Sequence, residues 1–453
     1  MKKMSLPGAM RLCAQYQRRN AEEREALQRA RLKAMVEHAR KSSPYYAALY
    51  RDLPESWTLS NLPPVSKREL MASFDDWATD RAITMAGVNE FLSKAENIGR
   101  EYLGRYLVFT TSGSTGAPLV ALCDPSANNV MAAVNAMRAF ARKSDLRAFL
   151  KRGGKTMGVF ATGFYLGCVS VRAKQRQMPW KRKQLAVTSA LLPTEQIVAE
   201  LNAFRPAMLG GYPSNLELLI PYKESGRLNI APALIMTGGE QLPDPLRARL
   251  AEAFGCYVQT SYSCTEGGTI ACECEKQRFH LNDDWVIAEP VDEYGRPVPP
   301  GVQGEKLLLT NLFNFTQPYI RYELTDRVTL HREGCPCGNP SPWVELEGRT
   351  DDVLVLNGGA GELRLAPLSV YAVLKEAKGL VRFQLVMRPG NVGELRVECE
   401  PGTSREDAFA RAKAAFLAYC KRQGAEEVTL TLSETLPMQQ PGSGKFKHIV
   451  WEP

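Results

Sequence analysis

The chain predicts an α/β protein. It should have a large amino-terminal domain of mainly parallel sheet flanked by helices, with a strand-rich subdomain, and then a small α+β domain. Three observations carry this. Between about residues 106 and 240, short apolar runs alternate with helical patterns, the rhythm of βαβ units. Residues 285–330 hold further apolar runs without helical stretches between them. Residues 351–453 read as strand, helix, two strands, helix and strand, a complete small unit. A chain of 453 residues, 44% hydrophobic and 23% charged, is long enough for two or three domains with a sizeable core. The expected division is 1–349 and 350–453, at the Gly348-Arg349 junction.

Residues 8–41 are charged and alanine-rich, with Leu12, Leu27, Leu32 and Val36 near helical spacing, which predicts one helix. Ser43-Pro44 ends it, since the residue before proline is pushed out of the helical region. Leu62-Pro63-Pro64 makes a turn, and Ser66 with Glu69 three residues on is a capping box for the next helix. The apolar runs Tyr106–Thr110, Lys155–Ala161, Ala207–Leu209 and Ala233–Met236 predict strands, as do Trp285–Val291, Lys306–Thr310 and Arg327–Leu330. The last unit should run strand Val353–Leu356, helix Leu368–Glu376, strands Phe383–Met387 and Glu394–Cys399, helix Arg405–Lys421 and strand Val428–Leu432. There is no internal repeat and no low-complexity tract.

Composition excludes several classes. No stretch approaches the roughly 20 apolar residues of a membrane span. The basic amino terminus lacks the apolar centre of a signal peptide, so a cytoplasmic protein is expected. Eleven cysteines, an odd number in a long chain, do not read as a secreted disulfide framework. The net charge of +8 is uneven: residues 141–190 hold twelve basic residues and one acid, Asp145. A basic block of this kind serves nucleic acid, an anionic surface or a phosphorylated small molecule. Aromatic interleaving and nucleic-acid reading motifs are both missing, which argues against nucleic acid.

The strongest local signal is Thr110-Thr111-Ser112-Gly113-Ser114-Thr115-Gly116-Ala117-Pro118, directly after an apolar strand. Its glycines let the backbone curl so that N–H groups face an anion, and flanking hydroxyls add donors. It lacks the Gly-Lys-Ser/Thr of a Walker A loop. Downstream, in order, come Thr237-Gly238-Gly239-Glu240, Tyr262-Ser263-Cys264-Thr265-Glu266-Gly267, Tyr322-Glu323-Leu324-Thr325-Asp326, Gly348-Arg349-Thr350-Asp351-Asp352 and Gly442-Ser443-Gly444-Lys445-Phe446-Lys447. Together, over nearly the whole chain, these motifs resemble the acyl-adenylate-forming superfamily, and most of all its phenylacetate–coenzyme A ligase branch.

That resemblance implies roles. Ser112, Gly113, Ser114, Thr115 and Gly116 would hold the β- and γ-phosphates of ATP. Leu119 stands where many superfamily members have lysine, so this loop has no lysine to offer. Thr265 would touch the α-phosphate, and Glu266 would hold Mg²⁺, which favours one or two carboxylates plus phosphate oxygens. Tyr262 would stack on adenine beside Gly238, Gly239 and Glu240, and Asp326 would accept from the ribose hydroxyls. Arg349 joins the nucleotide site, and Asp351 resembles the hinge about which a small mobile domain turns between adenylation and thioester formation. Lys445 would reach the reacting carboxylate and α-phosphate in the first step only. Phe164, Tyr165, Gly211, Tyr212 and Pro213 would line the acyl side and favour a flat aromatic acid. The basic stretch Arg172–Lys183 departs from the branch and is a candidate for recruiting the phosphates of ATP or coenzyme A.

A second constellation is read from the residues themselves. Cys274, His280, Cys335 and Cys337 supply three sulfurs and one imidazole, enough for a closed tetrahedral Zn²⁺ site, and Cys335-Pro336-Cys337-Gly338 is a tight knuckle. Cys272 could replace Cys274. With no open position, the ion would be a structural clamp.

The expected function is ATP-dependent activation of an aryl acid to acyl-AMP, then transfer to the thiol of coenzyme A. Rivals are transfer to a carrier-protein thiol or an amine, an inactive nucleotide-binding homologue, and a basic nucleic-acid-binding protein. Glu266, Asp326, Arg349 and Lys445 together argue against an inactive copy. The expected partners are small molecules, with no nucleic acid and no membrane, and a homodimer is the assembly to test.

Overall fold

The computed structural model describes residues 3–111, 119–160, 162, 165, 167–190, 192–349, 354–358, 361–365, 370–371, 373–374, 377–439 and 446–452, without the side chains of 167, 168, 180, 349 and 364. It divides into a large unit, Met1–Leu324 with Val328–Glu345, and a small unit built on Leu346–Pro441, Thr325–Arg327 and the last strand.

The expected single amino-terminal helix is two, Leu6–Tyr16 and Ala21–Ser42. Asn20 makes the break: its side chain accepts from the Glu23 N–H, while Glu23 reaches back to the Asn20 N–H. This reciprocal cap satisfies orphan donors that a continuous helix would bury in its own ladder. Ser43 closes the second helix and caps the next, Pro44–Leu49, and Ser66 with Glu69 forms the expected box.

A hairpin follows, β1 (Leu107–Thr110) with β2 (Val120–Cys123). The parallel core is β3 (Thr156–Phe160), β4 (Leu185–Ser189), β5 (Met208–Gly211), β6 (Leu234–Thr237) and β7 (Tyr257–Cys264), ordered β4-β3-β5-β6-β7. All four pairings are parallel, as the βαβ rhythm requires. One face packs Met157, Val159, Leu209, Ile235 and Val258 against helices Thr194–Phe204 and Asp244–Phe254. The sheet continues antiparallel through β8 (Gly268–Glu273) and β9 (Phe279–Leu281). A separate antiparallel sheet holds β10 (Val286–Val291), β11 (Lys306–Asn311) and β12 (Tyr322–Leu324). Then β13 (Asp326–His331) and β14 (Trp343–Arg349) complete the nine-stranded sheet beside β9.

In the small unit, β15 (Leu354–Gly358) pairs with β16 (Gly361–Leu365). A four-stranded sheet runs β19 (Thr429–Leu432), β18 (Val392–Cys399), β17 (Leu380–Arg388) and β20 (Ile449–Trp451). Helix Arg405–Arg422 covers it through Ala412, Phe416 and Cys420. The expected helix Leu368–Glu376 lies partly outside the described residues. Among the described residues, no helix is long and apolar enough to cross a membrane.

Candidate active site

Parallel strands aligned side by side put all their carboxyl ends on one edge of the sheet, where such folds bind ligands. Four of the predicted motifs fall on that edge. Gly211-Tyr212-Pro213 leaves β5, Gly238-Gly239-Glu240 leaves β6, Tyr262 lies near the end of β7, and Thr265-Glu266 turns from β7 into β8. Two of these motifs touch: Glu240 accepts from the Ser214 N–H and from its hydroxyl, both at 3.1 Å. The Glu240 carboxylate therefore holds the turn after β5 in place. Tyr212 is buried and meets Phe160 edge-on, with ring centroids 5.3 Å apart. Tyr262 is buried in the sheet opposite Ala271. Tyr165 is also buried, and its hydroxyl lies 2.6 Å from the Lys94 carbonyl and 3.1 Å from that of Phe91, so it ties two loops together.

Glu266 is the most constrained of these residues. Only 7% of it is exposed, and Oε1 accepts from the Tyr322 hydroxyl at 2.9 Å. Its carbonyl accepts from Asn311 Nδ2 at 2.8 Å. Among the described residues, only Oε1 of this carboxylate accepts a side-chain hydrogen bond, which leaves Oε2 available to a cation. Burial first, and then the Glu266 charge, push the Tyr322 phenol far above its ordinary value, so it remains a donor at every accessible pH. Thr265 and Glu266 share a hollow with Phe109, Leu122, Asn311 and Asn314, which brings the base of the β1–β2 hairpin to the same place. That hairpin closes where the Thr111 N–H donates to Leu119 O, and Leu119, in the lysine position, is fully buried.

Tyr322 and Asn311 were not singled out from sequence, although Tyr322 lies within the motif that ends in Asp326. Asp326 opens β13 and is half-buried. Ser112, Gly113, Ser114, Thr115, Gly116, Phe164, Asp351, Lys445 and the Arg349 side chain lie outside the described residues.

The cysteine–histidine set does converge. The ligand atoms of Cys274, His280, Cys335 and Cys337 lie within 4.8 Å of one another. Cys274 Sγ is 3.9 Å from Cys335 Sγ, and Cys337 Sγ is 3.3 Å from His280 Nε2. Tetrahedral Zn–S bonds of about 2.3 Å set ligand atoms roughly 3.8 Å apart, so the donors suit Zn²⁺. His280 Nδ1 donates to the Ser341 carbonyl at 2.9 Å, which leaves Nε2 aimed inward with its lone pair. Burial lowers the pKa of His280, favouring the neutral imidazole a metal needs. Burial, with the nearby Cys335 and Cys274 sulfurs, pushes the Cys337 thiol up to about 12. Gly338, at φ +78°, turns the knuckle so that its N–H reaches Cys335 O. Cys272 is elsewhere, half-buried with its sulfur 3.8 Å from Asn282 Nδ2, and Cys274 is the cluster member.

No protein-family profile matches the chain. The fold is similar to that of solved acyl-CoA ligases. Crystal structures of 2-hydroxyisobutyryl-CoA ligase with 2-HIB-AMP, in the postadenylation state, are similar at a TM-score of 0.67 and 19% identity, over 95% of this chain and 90% of that one. The anthranilate CoA ligase AuaEII in complex with anthranoyl-AMP is similar at 0.52 and 16% identity, over 75% of this chain and 65% of that one. In sequence, protein CapK of Staphylococcus aureus is 25% identical over 162 residues. That match takes in 35% of this chain and spans 34% of the length of that relative.

Proposed function

We propose that this chain activates a carboxylic acid with ATP, forming acyl-AMP and pyrophosphate, and then passes the acyl group to the thiol of coenzyme A. A carboxylate oxygen attacks the α-phosphorus as the bond to pyrophosphate breaks. The thiol then attacks the acyl carbonyl, AMP leaves with the bridging oxygen, and the thiol proton passes to solvent. Most of the rate in such transfers comes from positioning and from fixed charge. Thr265 contacts the α-phosphate, the 112–116 loop holds the outer phosphates, Tyr262 and Gly238–Glu240 bound the adenine side, and Asp326 and Arg349 serve the ribose and nucleotide. Glu266 would hold Mg²⁺, which neutralises phosphate charge when bound. Lys445 serves adenylation only. The parts 1–349 and 350–453 turn about Asp351 between the two steps. Tyr212 beside Phe160 supports an aromatic acid. Cys274, His280, Cys335 and Cys337 clamp a structural Zn²⁺. ATP and coenzyme A as substrates suit a cytoplasmic enzyme.

The observation that carries this reading is the Glu266 carboxylate, buried at the carboxyl edge of the sheet with one oxygen oriented by Tyr322. ATP–pyrophosphate exchange across aryl and alkyl acids tests it. Acid-dependent exchange that Glu266→Gln reduces at least ~10²-fold is expected, the scale of losing one well-placed electrostatic group. Exchange independent of added acid would refute it.

A further inference from the structure

Two glycines stand side by side in the middle of the parallel sheet, beneath one arginine. Gly158 of β3 and Gly210 of β5 are register partners. A strand-interior glycine loses packing and chain entropy, so it marks a place where something comes close to the backbone. Here it is the guanidinium of Arg172, from the helix Gly167–Arg176. A Cβ at Gly158 would collide with Arg172 Nη1 and with the Phe160 ring, and one at Gly210 would meet Nη2 at 3.7 Å. The guanidinium also lies over the Phe160 ring, 5.2 Å from its centroid, and Phe160 is the residue that meets Tyr212. Met157, Val159 and Leu209 fill the opposite face of these strands, so the cation is on the other face, one pleat back from the ends of β3 and β5. Lys174, on the same helix, is paired with Glu101 at 3.1 Å and is engaged elsewhere.

We propose that Arg172 is a specificity-determining residue of the acyl subsite, and that the acid activated here carries a second carboxylate which this guanidinium receives. The inference rests on the adenylation reading above and narrows its substrate class to dicarboxylic acids. A planar guanidinium fork matches a carboxylate in two-point geometry, and such charge-assisted pairs are roughly twice as strong as neutral ones. Partial burial strengthens the pair further. A mono-acid of the same shape fills the space without forming it. The arginine sequestered in the glycine notch thus gives the otherwise unexplained basic stretch a specific member with a specific task.

Matched acid pairs in ATP–pyrophosphate exchange test this: benzoate with isophthalate, phenylacetate with 4-carboxyphenylacetate, and butyrate with glutarate. In at least one pair, kcat/KM for the diacid should exceed that for the mono-acid about 10-fold or more. Arg172→Met should lower the diacid value about 10- to 100-fold, the worth of one hydrogen-bonded charged contact, and leave the mono-acid within about 3-fold. The wild-type ratio needs no variant, so a misfolded substitution leaves the test intact. Mono-acids that exchange as well as their diacids in every pair would overturn the inference while leaving adenylation standing. Equal loss of both members in Arg172→Met would also overturn it. Exchange with none of the six acids would overturn the adenylation reading and this inference with it.

Discussion

Tyr322→Phe removes one oxygen and nearly nothing else. Tyr322 is 2% exposed and Glu266 7%, and the 2.9 Å bond between them is the one that orients the carboxylate. A hydrogen bond to a charged acceptor is worth about 1.5–3 kcal/mol, or roughly 10- to 100-fold in an equilibrium. Loss of an outer-shell partner to a metal-ligating group costs a similar 10- to 100-fold in metal affinity. The Mg²⁺ concentration for half-maximal exchange should therefore rise about 10-fold or more in Tyr322→Phe. The rate at saturating Mg²⁺ should fall less than that. Because the phenol stays protonated throughout, the difference should not depend on pH across the working range. The assay is acid-dependent exchange over a Mg²⁺ series, with a melting curve to establish that the variant is folded. A folded variant whose half-saturation lies within about twofold of wild type would refute the assignment of Glu266 as the oriented metal ligand.

Metal analysis should find about one zinc per chain, and Cys335→Ser or a strong chelator should lower thermal stability before it alters the chemistry; metal-free protein of unchanged melting temperature would end that idea. Lys445→Ala should cut adenylation at least ~10²-fold while thioester formation from supplied acyl-AMP survives, read by running the half-reactions separately. Asp351→Pro locks φ near −65° and removes an N–H. Exchange should stay within a few-fold while thioester formation falls at least ~10²-fold; a variant that loses neither step would show that the chain does not turn there.

Strands β3, β5 and β6 of the parallel core were legible as short, largely buried apolar runs, whereas β4, only half-buried over most of its length, was not. Strand β7 was not: Gln259, Thr260, Ser261 and Ser263 make it look like a loop. Its polar residues are recruited tertiarily, with Thr260 N–H and Arg247 both donating to the buried Glu273 carboxylate. The break at Asn20 was hidden because helical spacing continues on both sides of a purely local cap. The convergence of Cys274, His280, Cys335 and Cys337 could be anticipated from their grouping in sequence. The choice between Cys272 and Cys274 could not, since it depends on where β8 ends and turns back through the Cys274–Arg278 hydrogen bond. Glu266 was visible through its motif, yet the tyrosine that orients it was not. That contact exists because β11 and β12 pair with Leu309 opposite Tyr322, a register no local pattern encodes.

The central claim is that the acid oxygen attacks the α-phosphorus of ATP. It is tested most directly by following that oxygen. With a carboxylic acid labelled with ¹⁸O in both carboxylate positions, ATP and coenzyme A, the AMP recovered should carry one heavy oxygen and the thioester the other. Label in inorganic phosphate with ADP as the nucleotide product, or unlabelled AMP alongside thioester, would contradict the account.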